Sequence, residues 1–221
     1  RSDHEVLQRL PQIVFGTMRQ PLSSSPLFYQ FDAAYDYFWR DEGQKGHRVN
    51  ACPKLSLPVN YGGWLKFNPE IMLNAMSYVA LDKERHDDRS GVFPGARAEL
   101  SAEFLRIFTL KNATVRKLRH TIEPGILYEF IAPNGQNDMP DFDMPDAYFS
   151  RHSVRLFLKN RLAALVADAT GDVTEHEIGY FLIGQAYNLR HPDGGLYLDG
   201  DPDKDYSDIF TELRLGYWPR L

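Results

Sequence analysis

The chain has 221 residues, a net charge of −5 and 43% hydrophobic residues. The acidic balance argues against a nucleic-acid partner, which selects for a basic excess. No run approaches the roughly 18 apolar residues of a membrane-spanning helix, and the single cysteine, Cys52, excludes a disulfide within the segment.

Two-residue alternation dominates the chain. A first strand is predicted over Pro11–Gln20. The second, Pro26–Arg40, sets Leu27, Tyr29, Phe31, Ala33, Tyr35, Tyr37 and Trp39 against Gln30, Asp32 and Asp36. After a turn-rich break the third, His47–Tyr61, sets Val49, Ala51, Pro53, Leu55 and Leu57 against Arg48, Asn50, Cys52, Lys54 and Ser56. Gly62-Gly63 turns the chain into a fourth, Trp64–Leu81, and a charged loop leads to a fifth, Val92–Leu110. The sixth, Val115–Ala132, opposes Leu118, Ile122, Ile126, Tyr128 and Phe130 to Lys117, Arg119, Thr121, Glu123 and Glu129. A Pro/Asn/Asp/Gly-rich loop over 133–146 precedes the seventh, Tyr148–Val166, whose Leu156–Ala169 portion also fits a helical period. The eighth spans Val173–Leu189, and the ninth alternates Ile209, Thr211, Leu213, Leu215 and Tyr217 with Glu212 and Arg214.

Successive strand side chains face opposite sides, so each segment carries one apolar and one polar face. The segments exceed the roughly 5–6 residues of a soluble strand and reach the about 9–11 that cross a bilayer. Short connections (62–63, 111–113) alternate with long ones (82–91, 133–147, 190–205), as on the two rims of an outer-membrane barrel. The expected fold is all-β: an antiparallel up-and-down outer-membrane β-barrel, here a partial barrel of about nine long strands. An odd count and two unpaired edges are untenable in lipid, so residues 1–221 are read as a segment of a single larger transmembrane domain. Tyr35, Tyr37 and Trp39 sit together as an interfacial aromatic belt would.

No catalytic, cofactor-binding or metal-binding set is predicted. The seven histidines lack zinc-site spacing, and Asp141–Asp143 reads as a solvated acidic loop. The polar faces instead place Arg48, Lys54, Lys66, Arg97, Lys117 and Arg119 among glutamates. Such a mixed-charge lumen could meet anions, or its charges could pair across strands. Pro124 is expected on the lipid side at a local bend, because proline removes a ladder donor.

The stretch His120–Pro133 and the acidic loop beyond it carry a family pattern on Thr121, Glu123, Pro124, Tyr128, Pro133, Gln136, Phe142 and Asp143. Farther on, Leu156-Phe157-Leu158-Lys159-Asn160-Arg161 and Ile183-Gly184-Gln185-Ala186-Tyr187 add Asn160, Arg161, Gly184 and Gln185. This pattern resembles the barrel domain of the LPS-assembly protein LptD family, also called the organic solvent tolerance protein. The run Ala163–Thr170 departs from that family's usual sequence. The resemblance implies non-catalytic transport with no cofactor: an integral outer-membrane barrel, plugged by an LptE-like lipoprotein, that receives lipopolysaccharide from a periplasmic bridge and places it in the outer leaflet. It also implies that the periplasmic N-terminal domain and the terminal barrel strands lie outside these residues. Two other readings compete: a porin or receptor barrel without a dedicated plug, and a soluble β-rich carbohydrate-binding or hydrolytic domain. Alternation alone does not separate one lipid-facing sheet from two sheets packed face to face.

Overall fold

The computed structural model describes residues 8–39, 45–81, 88–110, 115–132, 151–167, 173–189 and 204–216. Among them lie β1 (Gln8–Gly16), β2 (Gln20–Pro21), β3 (Phe28–Trp39), β4 (Gly46–Ser56), β5 (Val59–Tyr61), β6 (Leu65–Ala80), β7 (Arg89–Ala102), β8 (Phe104–Thr109), β9 (Val115–Ile131), β10 (Arg151–Ala167), β11 (Val173–Asn188) and β12 (Phe210–Leu215). They form one antiparallel 12-stranded sheet in the order β1-β3-β4-β6-β7-β9-β10-β11-β12, with β2, β5 and β8 paired to β3, β6 and β9. Neighbours in sequence are neighbours in space, so each strand returns beside the last in an up-and-down path. The described sheet does not close on itself, and β1 and β12 are its edges.

The expected count of about nine long strands holds among the described residues: nine lie along the sheet, and the three further elements, β2, β5 and β8, are short continuations with a local cause. β5 continues β4 beyond Leu57-Pro58, and β8 continues β7 beyond Glu103; each keeps its partner's register across the gap. Proline has no N–H to give the ladder. Pro58 marks the first gap, and Pro124 sits across from the second. The ladder from β9 to β10 runs unshifted through Pro124, which stands opposite Leu158. The predicted bend is therefore an interruption on one side of the strand only. Likewise the β4–β6 pairing skips Cys52 and Pro53 between Ala51 and Lys54.

Boundaries move at the ends. The first long strand is Gln8–Gly16, with Gln20–Pro21 as a short extension, rather than Pro11–Gln20. The last is Phe210–Leu215, without Ile209. Leu156–Ala167 belongs to strand β10, paired on both sides, so period two prevails over the helical alternative.

The two faces are buried in the reverse of a soluble protein's order. One carries Asp36, Arg48, Asn74, Ser101 and Ser153, all buried. The other exposes Ile71 (60%), Leu73 (48%), Val92 (54%) and Leu213 (64%). No second sheet or helix layer among the described residues covers the polar face. A small apolar set, Met76, Tyr78 and Phe93, is packed within that inner face. Val115, Ala164 and Val166 form a second cluster at the short-turn end, packed against Leu110, Leu118 and Ile178.

Candidate functional site: the charged inner face

Register decides which inner-face charges meet. Asp36 lies opposite Arg48, and the guanidinium donates from Nε (3.1 Å) and Nη2 (2.6 Å) to Asp36 Oδ2. Gln12 Nε2 donates to the other carboxylate oxygen at 2.7 Å. The Arg48 guanidinium carbon also stands 4.9 Å from the Phe38 ring centre. One strand-end further along the same two strands, Lys54 donates to Asp32 at 3.0 Å, and Gln30 supports that carboxylate. Cys52 lies directly opposite Asp32 on this face and is half-buried.

Across the sheet centre a wider network forms. Lys159 Nζ reaches Glu123 at 3.0 Å and Glu99 at 3.8 Å, joining β7, β9 and β10. Glu129 meets Arg151 at 3.4 Å and Arg155 at 4.0 Å. Arg97 meets Glu99 at 3.5 Å, Lys66 meets Glu103 at 2.5 Å, and Arg119 pairs with Glu175. Lys117 stands opposite Leu165 and Thr109 on the same face. The structure therefore places Arg48, Lys54, Lys66, Arg97, Lys117 and Arg119 on one surface, and pairs five of them with acids there. Arg151, Arg155 and Lys159 were not among the predicted lumen cations. Their alternation with Val154, Leu156 and Leu158 carried the same signal.

The sequence motifs converge on this surface. Gly125, Phe157 and Gly184 occupy one row across β9, β10 and β11, with Phe210 next in line on β12. A Cβ at Gly125 would lie 2.5 Å from Phe157 Cε2, and one at Gly184 would lie 2.7 Å from Phe210 Cε1. Each glycine leaves the space that a neighbouring ring fills, a cross-strand device that pins register. Lys159 Nζ stands 4.4 Å from the Phe157 ring centre, so ring and ion pair hold each other.

Thr121 and Arg161 stand opposite each other on the same inner face. Arg161 stands 5.9 Å from the Tyr180 ring centre. Gln185 projects to the outer face, donates to the Ser207 carbonyl at 2.9 Å and accepts from the Tyr187 hydroxyl at 2.7 Å. It thereby ties β11 to the chain at Ser207, just ahead of β12. Asn160 and Tyr128 also face outward. Pro133, Gln136, Phe142, Asp143 and the Asp141–Asp143 loop lie outside the described residues.

On the outer face, aromatic and histidine side chains gather near the long-loop rim. His47 stacks with Tyr37 and Tyr35 at 4.8 and 5.9 Å between ring centres, and the Tyr35 hydroxyl is 2.8 Å from His47 Nδ1. His152 meets Tyr128 and Phe130 edge-on, each at 5.7 Å. Toward the other rim, outward polar residues return at His120 on β9 and Asn160 on β10. Between His120 and Tyr128 the outward positions are Ile122, Pro124 and Ile126, a span of about 26 Å along the strand at about 3.3 Å per residue. At the usual strand tilt of about 40° this gives about 20 Å of height, somewhat under the apolar band of about 25 Å that an outer-membrane barrel presents to lipid.

A single antiparallel layer, exposed and apolar outside and buried and charged inside, with aromatic residues edging the apolar band, defines the wall of a transmembrane β-barrel. The face-to-face packing of a soluble sandwich is absent among the described residues. The family model described as "LptD: LPS transport system D" matches residues 2–221, and the chain belongs to that family. Its sequence is similar to the LPS-assembly protein LptD of Methylococcus capsulatus, 28% identical over 174 residues covering 77% of this chain and 16% of the relative. The LPS-assembly protein LptD of Hahella chejuensis is 25% identical over 226 residues, covering 92% of this chain and 28% of the relative. That of Pseudomonas savastanoi pv. phaseolicola is 26% identical over 144 residues, covering 61% and 15%. The chain thus spans less than a third of the length of these curated relatives.

Proposed function

We propose that residues 1–221 form part of the wall of one outer-membrane barrel domain that delivers lipopolysaccharide to the outer leaflet by transport without chemistry. The observation that carries this reading is the charged inner face wrapped in an apolar outer face, in a chain of this family. The inner ladder of arginines, lysines and glutamates suits a hydrated interior. It can seat a polar plug of the LptE type, and its cations can meet sugar-phosphate groups as charge-assisted donors. Delivery from a periplasmic bridge would enter through parts of the whole protein beyond these residues. For any single charge, pairing across strands is the sufficient role, so transport is assigned to the surface rather than to one residue.

The test is to pull the full-length protein from detergent-solubilised outer membrane and identify what accompanies it by mass spectrometry. Co-recovery of a small lipoprotein and bound lipopolysaccharide is expected. A lone barrel with neither would favour a porin or receptor, and absence from the membrane fraction would overturn the membrane reading.

A further inference from the structure

The short-turn rim of the sheet is stepped. The β6–β7 ladder ends where Leu65 meets Ala102, and just beyond it Glu103 N–H donates to the Trp64 carbonyl at 2.6 Å. There the chain of β6 turns through Gly62-Gly63 into β5, on the far side of β6. β8 runs on for six residues, Phe104–Thr109, and pairs with β9 alone. At about 3.3 Å per residue this overhang is about 20 Å long. The register with β9 is unbroken from Ser101–Gly125 to Phe104–Ile122. Backbone groups alternate in direction along a strand. Leu105, Ile107 and Thr109 therefore point N–H and C=O the same way as Glu103, to the side that β6 has left. Among the described residues nothing pairs with that edge, and all six of its residues are exposed.

Arg106 lies opposite His120, the outward polar residue at which the apolar band ends. Ile107, Phe108 and Thr109 thus lie on the rim side of the band. An open strand edge is untenable in hydrocarbon, and these open groups lie at and beyond the level where the band stops. In water such an edge is normally blunted. Phe104-Leu105-Arg106-Ile107-Phe108-Thr109 has no proline, and its pairing has no bulge. Leu105 and Ile107 are each 50% exposed on one face and Phe108 is 39% exposed on the other. Arg106 stands with its guanidinium carbon 4.9 Å from the Phe108 ring centre. Neither Arg106 nor Lys117, opposite Thr109, has an acidic partner among the described residues. Unused donors and acceptors, flanked by apolar side chains and unmatched cations, are what an added strand reads.

We propose that the open edge of β8 receives an extended strand of another periplasmic protein, with apolar side chains beside Ile107 and Phe108 and an acidic one beside Arg106. Short turns of an outer-membrane barrel face the periplasm, and the proposal rests on that reading of this chain. The backbone of Leu105, Ile107 and Thr109 supplies the pairing, and the side chains supply the selection. Further barrel strands join the sheet at its two ends, β1 and β12, so the added strand comes from outside the wall. A second copy is a poor occupant. β8 carries no acid of its own, and edge-to-edge pairing would set cation against cation.

The test is ultraviolet cross-linking in cells whose full-length protein carries benzoylphenylalanine at position 109, with mass spectrometry of the linked peptides. The expected product joins that position to one extended, acid-bearing segment of another periplasmic protein. Its yield should fall about tenfold in Arg106→Glu, the size of one lost charge-assisted contact. It should fall as far in Ile107→Pro, which deletes an N–H that the β9 ladder does not use, and persist in Ile107→Ala, which keeps it. The parent's product decides the matter even if a variant fails to insert. No product, a product with lipid, with a second copy or with the protein's own chain, or a yield unchanged in Ile107→Pro would each overturn the added strand. Absence of the protein from the outer-membrane fraction would instead overturn the outer-membrane reading, and the periplasmic partner with it.

Discussion

The Phe157 ring on β10 occupies the space that a side chain at Gly125 on β9 would need. This one relationship joins two separate motif stretches, and Gly184 on the other flank of Phe157 joins a third. A glycine under a ring admits only one register, because a slip of one residue would carry the ring to the opposite face.

Gly125→Ala should therefore destabilise the folded barrel by about 1–3 kcal/mol through overpacking. Phe157→Leu in the same chain should recover part of that loss, giving a coupling of about 0.5–3 kcal/mol between the two sites. Denaturant unfolding of the full-length protein in lipid checks both. Strict additivity would show that the ring and the glycine do not meet.

Asp36 and Arg48 are 0% and 4% exposed. Asp36→Ala removes the carboxylate that the buried Arg48 guanidinium and Gln12 both engage, and is expected to cost up to about 3–5 kcal/mol. The double replacement Asp36→Leu/Arg48→Met should cost less than the single one, because it removes both charges together. The same unfolding measurement distinguishes these orders.

Ile71 is 60% exposed on the outer face, where a soluble protein would tolerate a charge within about 0.5 kcal/mol. In a bilayer, Ile71→Arg should cost about 2–4 kcal/mol near the midplane. Lys66→Met, on the inner face in a half-exposed pair with Glu103, should cost under about 1 kcal/mol. A tolerant Ile71 would mean that this face does not meet lipid.

Trp39 ends the outward row of β3 at the long-loop rim, with the Lys45 ammonium 5.2 Å from its ring centre. In a variant keeping Trp39 while Trp64 and Trp218 are replaced by phenylalanine, its fluorescence should be quenched more by lipids brominated near the headgroup than by lipids brominated at the chain ends. The reverse order would place Trp39 in the hydrocarbon interior, away from an interfacial belt.

The alternation from Leu27 to Leu55 was enough to assign each side chain to a face, and the paired registers of β3, β4 and β6 keep those assignments. The strand interruptions were less legible. Pro58 and Pro124 were visible as missing donors, but whether a missing donor breaks a ladder depends on which neighbour needed it. The Lys159–Glu123–Glu99 network could not be read at all, since its members lie on three strands whose offset no local pattern states.

Period two is a property of each strand alone. The order of residues along the chain therefore already determined the apolar outer surface, the charged inner surface and the up-and-down class of fold. Register is a relation between strands, set by rings seated on glycines, by a bulge beside Gly179 and by prolines that skip a bond. Only the tertiary structure could decide that Arg48 meets Asp36, that Phe157 lies between Gly125 and Gly184, and that Lys159 reaches both Glu123 and Glu99. Those contacts join residues far apart in sequence, and a shift of a single position would have dissolved every one of them.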